Sequence, residues 1–516
     1  MNEQTRWASH TYKLVAVLLI SFSLYTAAFG VFPDVIQRGM HLALAIILVY
    51  LGIITSKRTL LSTLLLIILA IFGAFTALYQ TMFYDDVVNR YGAMTNPEIW
   101  IAAVSVVILL DATRRTIGWS MVVLALIFLA YAFWGNYLWG DIAHRGYGLK
   151  RVLSQVYLGA DGIFGTPLGV SSTFVVLIVI LGALLESTGA SKVLMDIAVS
   201  LTGRSRGGPA KAAVVGSSLM GMISGTAVAN VLTTGTISIP LMKRGGYKPR
   251  VAAAIEAVAS TGGQLMPPIM GAAAFIMADI IETPYTDIAK AAIIPAILFY
   301  VAVFAAVHLE AVKNGLQPMK EHELPSAKAA LIEGGHVLIA IPSFIGFLMN
   351  GYSVMYSSLW SIVILVLLSC LKPSTWLVPS KVISTSKAAA QAVLPVAMAT
   401  ATAGIIIAVV TLTGVGLKFS SLIVTLSGGS LLVALVLTMA ASLILGMGLP
   451  TTANYIVVSS LMAPVILSVG AQAGYIFPLI AVHLFVFYFG ILADDTPPVG
   501  LAAYAAAAIS RGDPIK

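Results

Sequence analysis

The chain has 516 residues, of which 59% are hydrophobic and only 10% charged, far below the roughly one-quarter charged of a soluble domain. That balance points to a polytopic helical membrane protein, and the net charge of +8 then needs no nucleic-acid partner, because cytoplasmic loops concentrate Lys and Arg. The single cysteine, Cys370, sits in an apolar run, which excludes an internal disulfide and a cysteine metal cluster.

In chain order, the first apolar run, Leu14 to Phe32, is about long enough to span and lacks a convincing small-residue cleavage site, so it reads as a retained helix. Met40 to Ile54, Leu60 to Met82, Ile99 to Leu110 and Trp119 to Leu138 complete five N-terminal spans. Asp111-Ala112-Thr113-Arg114-Arg115, between the last two, reads as an ion-paired elbow. This portion has no polar tip and no proline pair, and reads as scaffold. Gly148 to Gly169, with Lys150, Arg151, Tyr157 and Phe164, is expected to form an interfacial helix and loop, followed by a span from Val170 to Leu185.

The next stretch, Gly216 to Met242, is apolar enough for a bilayer, yet its centre, Ser224 to Asn230, carries hydroxyls, an amide and glycine. Basic flanks lie on both sides: Arg204, Arg206 and Lys211 before it, Lys243, Arg244, Lys248 and Arg250 after it. A segment that enters from and returns to the cytoplasmic side has this pattern, so the sequence predicts a re-entrant hairpin turning near Gly225. Exposed backbone at such a tip is tolerated only where protein or a wet cavity surrounds it. The Gly221 and Gly225 pair also suits plain helix packing, a reading the stretch alone leaves open.

Val251 to Ile281 follows, interrupted by Pro267-Pro268; the pair removes two amide donors and predicts a helix broken in mid-membrane. Ala291 to Val307 spans back. The polar linker Lys313 to Lys328 is the natural boundary inside this region, and Val337 to Met349, Ser357 to Leu371 and Ala392 to Val415 span after it. Gly428 to Leu467 then repeats the hairpin, with Thr451-Thr452-Ala453-Asn454 standing where Ala227 to Asn230 stood and Pro450 at the tip. Ile476 to Ala493 leads into Asp494-Asp495-Thr496-Pro497-Pro498, a second proline pair.

Two hairpins and two broken helices in matching order describe an internal repeat. Threading the spans from a cytoplasmic N-terminus leaves about seven Lys and Arg outside (Arg38, Arg90, Arg145, Lys150, Arg151, Lys290, Lys418), the expected bias. It also places the hairpins at opposite faces. The repeats are thus expected to be inverted, the architecture of alternating-access carriers with a midplane site.

Hairpin tips and helix breaks expose carbonyl oxygens and helix ends, which suit a hard monovalent cation and a carboxylate respectively. One cation is expected near Ser224, Gly225, Thr226 and Asn230 with the Thr261-Gly262-Gly263-Gln264 break, and a second near Thr451, Thr452 and Asn454 with Asp495 and Thr496. Substrate-binding candidates are Thr226, Asn230, Pro267, Pro268, Thr451, Asn454 and Pro497. Asn230 and Asn454 also suit helix capping. Glu186, Glu256, His483, Asp494 and Asp495 lie in or beside apolar runs, where an ionisable group either serves function or reaches water at a helix end. Glu256 and Asp495, nearest the breaks, are the candidates for proton coupling. Sodium needs only neutral oxygens, so Na+ is the first expectation for the coupling ion and H+ the alternative.

The stretches SGTAVANV, EAVASTGGQLMPP, LGMGLPTTANYIV and ADDTPPVGLAAYAA resemble those of tripartite ATP-independent periplasmic (TRAP) transporters, specifically the fused membrane subunit of the TAXI subgroup. The resemblance covers nearly the whole chain. It implies residues 1–147 as a small-subunit-like scaffold, 148–320 as the first large-subunit repeat and 321–516 as the second. It further implies an all-α elevator-type carrier of the inner membrane. Such a carrier takes up a small organic acid, expected to be a carboxylate, from a periplasmic TAXI-type binding protein and is driven by a cation gradient. Fused proteins of this kind usually continue after the second proline motif, whereas this sequence stops at Lys516, so either the terminal helices are dispensable or the chain is a shortened form. The rival readings are a binding-protein-independent carrier or channel and an intramembrane enzyme; against the enzyme, the sequence has no HExxH, no Cys/His cluster and no paired catalytic acids.

Overall fold

The computed structural model describes residues 3–56, 59–90, 93–496 and 499–514, and every regular element among them is helical. Ten of the helices are long and apolar enough to cross a membrane. The chain forms two compact units: one of residues 1–177, 383–445 and 452–487, the other of residues 178–382, 446–451 and 488–516.

The first unit begins with α1 (Glu3–Phe29), α2 (Asp34–Ile54), α3 (Leu60–Met82), the short α4 (Tyr84–Asn89), α5 (Asn96–Thr116) and α6 (Trp119–Trp134). Helix α3 has the polarity of a lipid-facing helix. Its exposed face is built of Leu61, Leu64, Leu65, Ile68, Ile71 and Phe72, while Thr63, Gly73, Thr76 and Gln80 point inward. In hydrocarbon the outer face loses nothing by being apolar, and small or hydroxyl-bearing residues let helices approach. A Cβ on Gly73 would meet Ile46 and Ile108 side chains at 2.6 and 2.9 Å, so α2, α3 and α5 close on a glycine-sized gap.

Asp111, Arg114 and Arg115 are paired as expected, at 2.8 and 2.6 Å, but they occupy the last turn of α5, and the chain turns only at Ile117-Gly118. The elbow is therefore a charged helix end. Within 148–169 the helix α7 (Leu149–Tyr157) forms as expected, and its inner face is tied to α3: Gln80 donates to the Tyr157 carbonyl and the Tyr157 hydroxyl to the Thr76 carbonyl, each at 2.6 Å. The next span is α8 (Thr166–Val170), a π-helical segment (Ser171–Val175) and α9 (Val176–Ser187).

The second unit continues with α10 (Ala190–Thr202), α11 (Gly208–Ser224), α12 (Ala227–Arg244), α13 (Pro249–Gly263), α14 (Gly271–Ile280) and α15 (Tyr285–Lys313). Then come α16 (Ala327–Gly334), α17 (Ala340–Met349) and α18 (Val354–Ser369). Helices α11 and α12 are the first predicted hairpin, with a longer entry arm than the sequence suggested, and α13 and α14 are the halves of the first broken helix. The bundle α11–α13 shares a small-residue core of Ala210, Ala213, Ala227, Ala252 and Ala257.

After α19 (Pro379–Thr413) and α20 (Val415–Ser427), the second hairpin is α21 (Leu431–Gly446) and α22 (Thr451–Gln472). It starts at 431, because Gly428 and Gly429, both at positive φ, end α20. Then follow α23 (Leu479–Leu492), a 3-10 turn (Ala493–Asp495) and α24 (Leu501–Ser510), the second broken helix. Helices thus stand on either side of each predicted tip and break, in the predicted order, with Pro497 and Pro498 of the second break outside the described residues.

The tightest crossing joins the first hairpin to the first broken helix: a Cβ on Gly221 would lie 2.5 Å from Gly263 Cα and 2.8 Å from Asn230 Nδ2. A branched side chain there must push α11 off α13. Gly221→Val is expected to destabilise the protein by about 1–3 kcal/mol, the usual penalty of overpacking. Gly346→Ala, where an added methyl meets nothing within 4 Å, should lose nothing. Thermal unfolding of the two variants in detergent checks the contrast.

Candidate functional site

The first hairpin turns at Gly225, whose φ of +75° is the left-handed geometry that glycine accepts without strain. Thr226 caps α12, its hydroxyl accepting from the Ala229 amide at 3.2 Å, so the cap is Thr226 and not Asn230. Ser224 donates to the Thr226 carbonyl at 3.4 Å. Asn230, one turn into the helix, is fully buried; its amide nitrogen donates to the Ser217 carbonyl at 2.8 Å.

The first break runs from Gln264 to Met270, which itself takes φ +57°, and the Pro267-Pro268 bond is cis. The Tyr285 hydroxyl braces it by donating to the Pro268 and Ile269 carbonyls, both at 2.7 Å. A Cβ on Gly271 would sit 3.1 Å from the Gly225 carbonyl oxygen, so the hairpin tip lies against the start of α14. Gly262 and Gly263, expected near a cation, also have a packing role: a side chain on Gly262 would collide with Phe299 and Tyr300, and Gly263 is the partner of Gly221.

The second break brings Asp495 to the first. Asp495 lies beside the Thr261 hydroxyl, and Thr451, the last residue of this unit's share of the second tip, donates to Asp494 Oδ2 at 3.3 Å. All four belong to the same compact unit as Asn230 and Gln264. Thr496 spends its hydroxyl on the Leu492 carbonyl at 2.7 Å. Thr452 and Asn454 are buried in the other unit, and Pro497 lies outside the described residues. Residues assigned by sequence to two cation groups are thus regrouped, with Asp495 of the second placed at Thr261 of the first.

The decisive feature of this set is unmet hydrogen-bonding capacity. Asn230 Oδ1, Thr261 Oγ1, both polar atoms of Gln264, Asp494 Oδ1 and Asp495 Oδ1 are buried without a hydrogen-bond partner among the described residues. A buried polar atom left unmet costs about 1–3 kcal/mol, so a group of them in one unit calls for water, an ion or another ligand to supply the missing interactions. Hydroxyl, amide and carboxylate oxygens together fit a hard cation such as sodium.

Glu256 is arranged differently. It is fully buried, and four hydroxyls surround it: Ser217 at 2.7 Å, Thr234 at 2.5 Å and Ser260 at 3.0 Å on Oε1, and Ser238 on Oε2. These come from α11, α12 and α13, so the carboxyl pins three helices together, and its acceptor sites are already filled. Sequence reasoning found Glu256 but missed its hydroxyls, although Thr234/Ser238 and Glu256/Ser260 stand at the four-residue spacing that puts side chains on one helix face. Of the other acids and the histidine, Glu186 is exposed near the end of α9, while His483 is bonded to the Tyr455 hydroxyl at 2.8 Å.

Glutamine in place of Glu256 keeps an acceptor for three hydroxyls and can donate to the fourth, whereas alanine leaves all four without it. Glu256→Ala is expected to lose about 3 kcal/mol or more and Glu256→Gln about 1 kcal/mol or less, read as thermal unfolding in detergent.

Comparison with known proteins places this geometry. Residues 104–516 match the family model of the tripartite ATP-independent periplasmic transporter, DctM component. The C4-dicarboxylate TRAP transporter large permease protein DctM of Pseudomonas aeruginosa is 31% identical over 154 residues, 29% of this chain and 36% of that protein. A putative TRAP transporter large permease protein of Haemophilus influenzae is 29% identical over 90 residues, 17% of this chain and 21% of that protein. The chain therefore spans about a third or less of the length of these relatives, while the family model covers most of the chain. It is a multi-pass inner-membrane protein, and it belongs to the DctM family of TRAP transporter permeases.

Proposed function

We propose that this protein carries a small organic acid inward across the cytoplasmic membrane by secondary active transport, coupled to sodium and supplied by a periplasmic binding protein of the TAXI type. The observation that carries the coupling is the set of unmet buried oxygens of Asn230, Thr261, Gln264, Asp494 and Asp495, contributed by one hairpin and two helix breaks of a single compact unit. A sodium ion held there would supply the positive charge that these acids otherwise lack in a medium where a lone buried carboxylate is costly.

The carboxylate class is supported by the helix starts. Helices α12 and α14 begin on either side of the contact between Gly225 and Gly271, and helix N-termini carry partial positive charge and free amides that suit an anion. The named substrate class of the Pseudomonas relative, C4-dicarboxylates, agrees with this reading. A second reading, proton coupling, is favoured by one observation: Glu256 is held by neutral hydroxyls alone, without a basic partner, so it can exist with or without a proton in the same cage.

Proteoliposomes with the cognate binding protein and a labelled C4-dicarboxylate separate the readings. An inward sodium gradient at fixed pH should drive accumulation, a pH gradient in sodium-free buffer should not, and omission of the binding protein should abolish uptake. Asp495→Asn should lower sodium-driven uptake by about tenfold or more, the scale of losing one charge-assisted contact to a buried cation. Gly225→Val, strained at positive φ, should abolish uptake without blocking membrane insertion. If only the pH gradient works, and Glu256→Gln removes that uptake, a carboxyl group carries the coupling and sodium does not.

A further inference from the structure

Lys211 stands on the first turn of α11, which its flanking residues Arg204 and Arg206 mark as the basic, cytoplasmic end of the unit. Its residue surface is only 6% exposed, and its ammonium has no carboxylate or hydrogen-bond acceptor among the described residues. What it has is the ring of Phe304, 5.2 Å from Nζ. A ring face satisfies one direction of a group with three N–H donors, so a buried lysine here remains an anion acceptor. The nearest acid in sequence on α15, Glu310, is bonded to Asn314 at 2.8 Å.

The ammonium opens into a groove of about 620 Å³ along one face of α15. Phe304 and His308 line its basic end with Lys211, and Ile297, Val301 and Met266 line the remainder. From 308 back to 297 is three helical turns, about 16 Å, and Met266 lies at the first helix break, so the groove runs from the basic end toward mid-depth. Ile297 and Val301 are among the exposed apolar residues of α15, as a lipid-facing wall requires. One end is cationic and the rest is apolar.

We propose that this groove binds an acidic phospholipid of the cytoplasmic leaflet, with the phosphate at Lys211 and His308 and an acyl chain along Ile297 and Val301 to the break at Met266. Charge complementarity selects the headgroup, because the cation of a zwitterionic lipid offsets the attraction of its phosphate for the ammonium, and the apolar length selects a lipid over a free anion. This site is independent of the solute and ion reading above.

The test uses delipidated full-length protein in detergent, titrated with phosphatidylglycerol and with phosphatidylcholine of the same acyl chains, with bound lipid counted by native mass spectrometry. The wild type should retain phosphatidylglycerol in preference, Lys211→Arg should keep that preference, and Lys211→Gln should lower it about fivefold, the effect of one Lys near an anionic surface. Val301→Trp fills the apolar wall at an exposed position and leaves the charge in place; it should also lower phosphatidylglycerol retention. Equal retention of the two lipids by the wild type overturns the proposal. So does unchanged phosphatidylglycerol retention in either Lys211→Gln or Val301→Trp, or its displacement by an equal concentration of inorganic phosphate.

Discussion

The fold around the site depends on one buried carboxyl group. Glu256 reaches hydroxyls on α11, α12 and α13 in a region where water is scarce, so each of these hydrogen bonds is made inside the protein or not at all. Helices that share lipid as their surroundings gain little from burying apolar surface, which leaves close packing and polar contacts to hold them. Here both act within two turns: the Glu256 cage sits on the same three helices that meet at the Gly221 and Gly263 crossing. A re-entrant hairpin fixed this way can hold a polar tip without the tip itself being used as a packing surface.

That division of labour explains why the polar residues near the breaks fall into two kinds. Glu256, Ser217, Thr234, Ser238 and Ser260 satisfy one another. Asn230, Thr261, Gln264, Asp494 and Asp495 do not, although the first four are equally buried and Asp495 keeps Oδ1 out of solvent. Asp495 of the second break arrives at Thr261 because α24 packs on α12 and α13, so the second break and residues 446–451 belong to the same compact unit as the first hairpin. Under the proposed sodium coupling a bound cation completes these oxygens, and their mixture of carboxylate, hydroxyl and amide matches a hard cation more closely than it matches an apolar solute.

Much of this architecture was legible in the sequence, because its strongest markers are local. Pro267-Pro268 cannot continue a helix, Gly225 favours a turn, and a polar Ser224 to Asn230 centre in an apolar run has no place in a plain span. The same locality limited the reading. The hydroxyls around Glu256 are ordinary helix residues whose role exists only once three helices meet. Gly262 and Gly263 read as ligand-binding backbone, and the structure gives both a packing role, since both uses demand a missing side chain. The approach of Asp495 to Thr261 joins positions more than two hundred residues apart, and no spacing rule reaches that far. Asp111, Arg114 and Arg115 formed the expected ion pairs but as a helix end, because an i, i+3, i+4 triad is best satisfied on a helix.

The claim on which the account turns is that the unmet oxygens at the two breaks hold a cation, and ligand-dependent stability measures it without any transport. Purified protein should melt at a temperature that rises with sodium concentration at constant ionic strength, choline replacing sodium, because a ligand bound only by the folded state stabilises it. Thir rise should vanish in Thr261→Val and Asp495→Asn. Identical melting in sodium and choline across the titration, or a sodium response that survives both substitutions, would contradict the account.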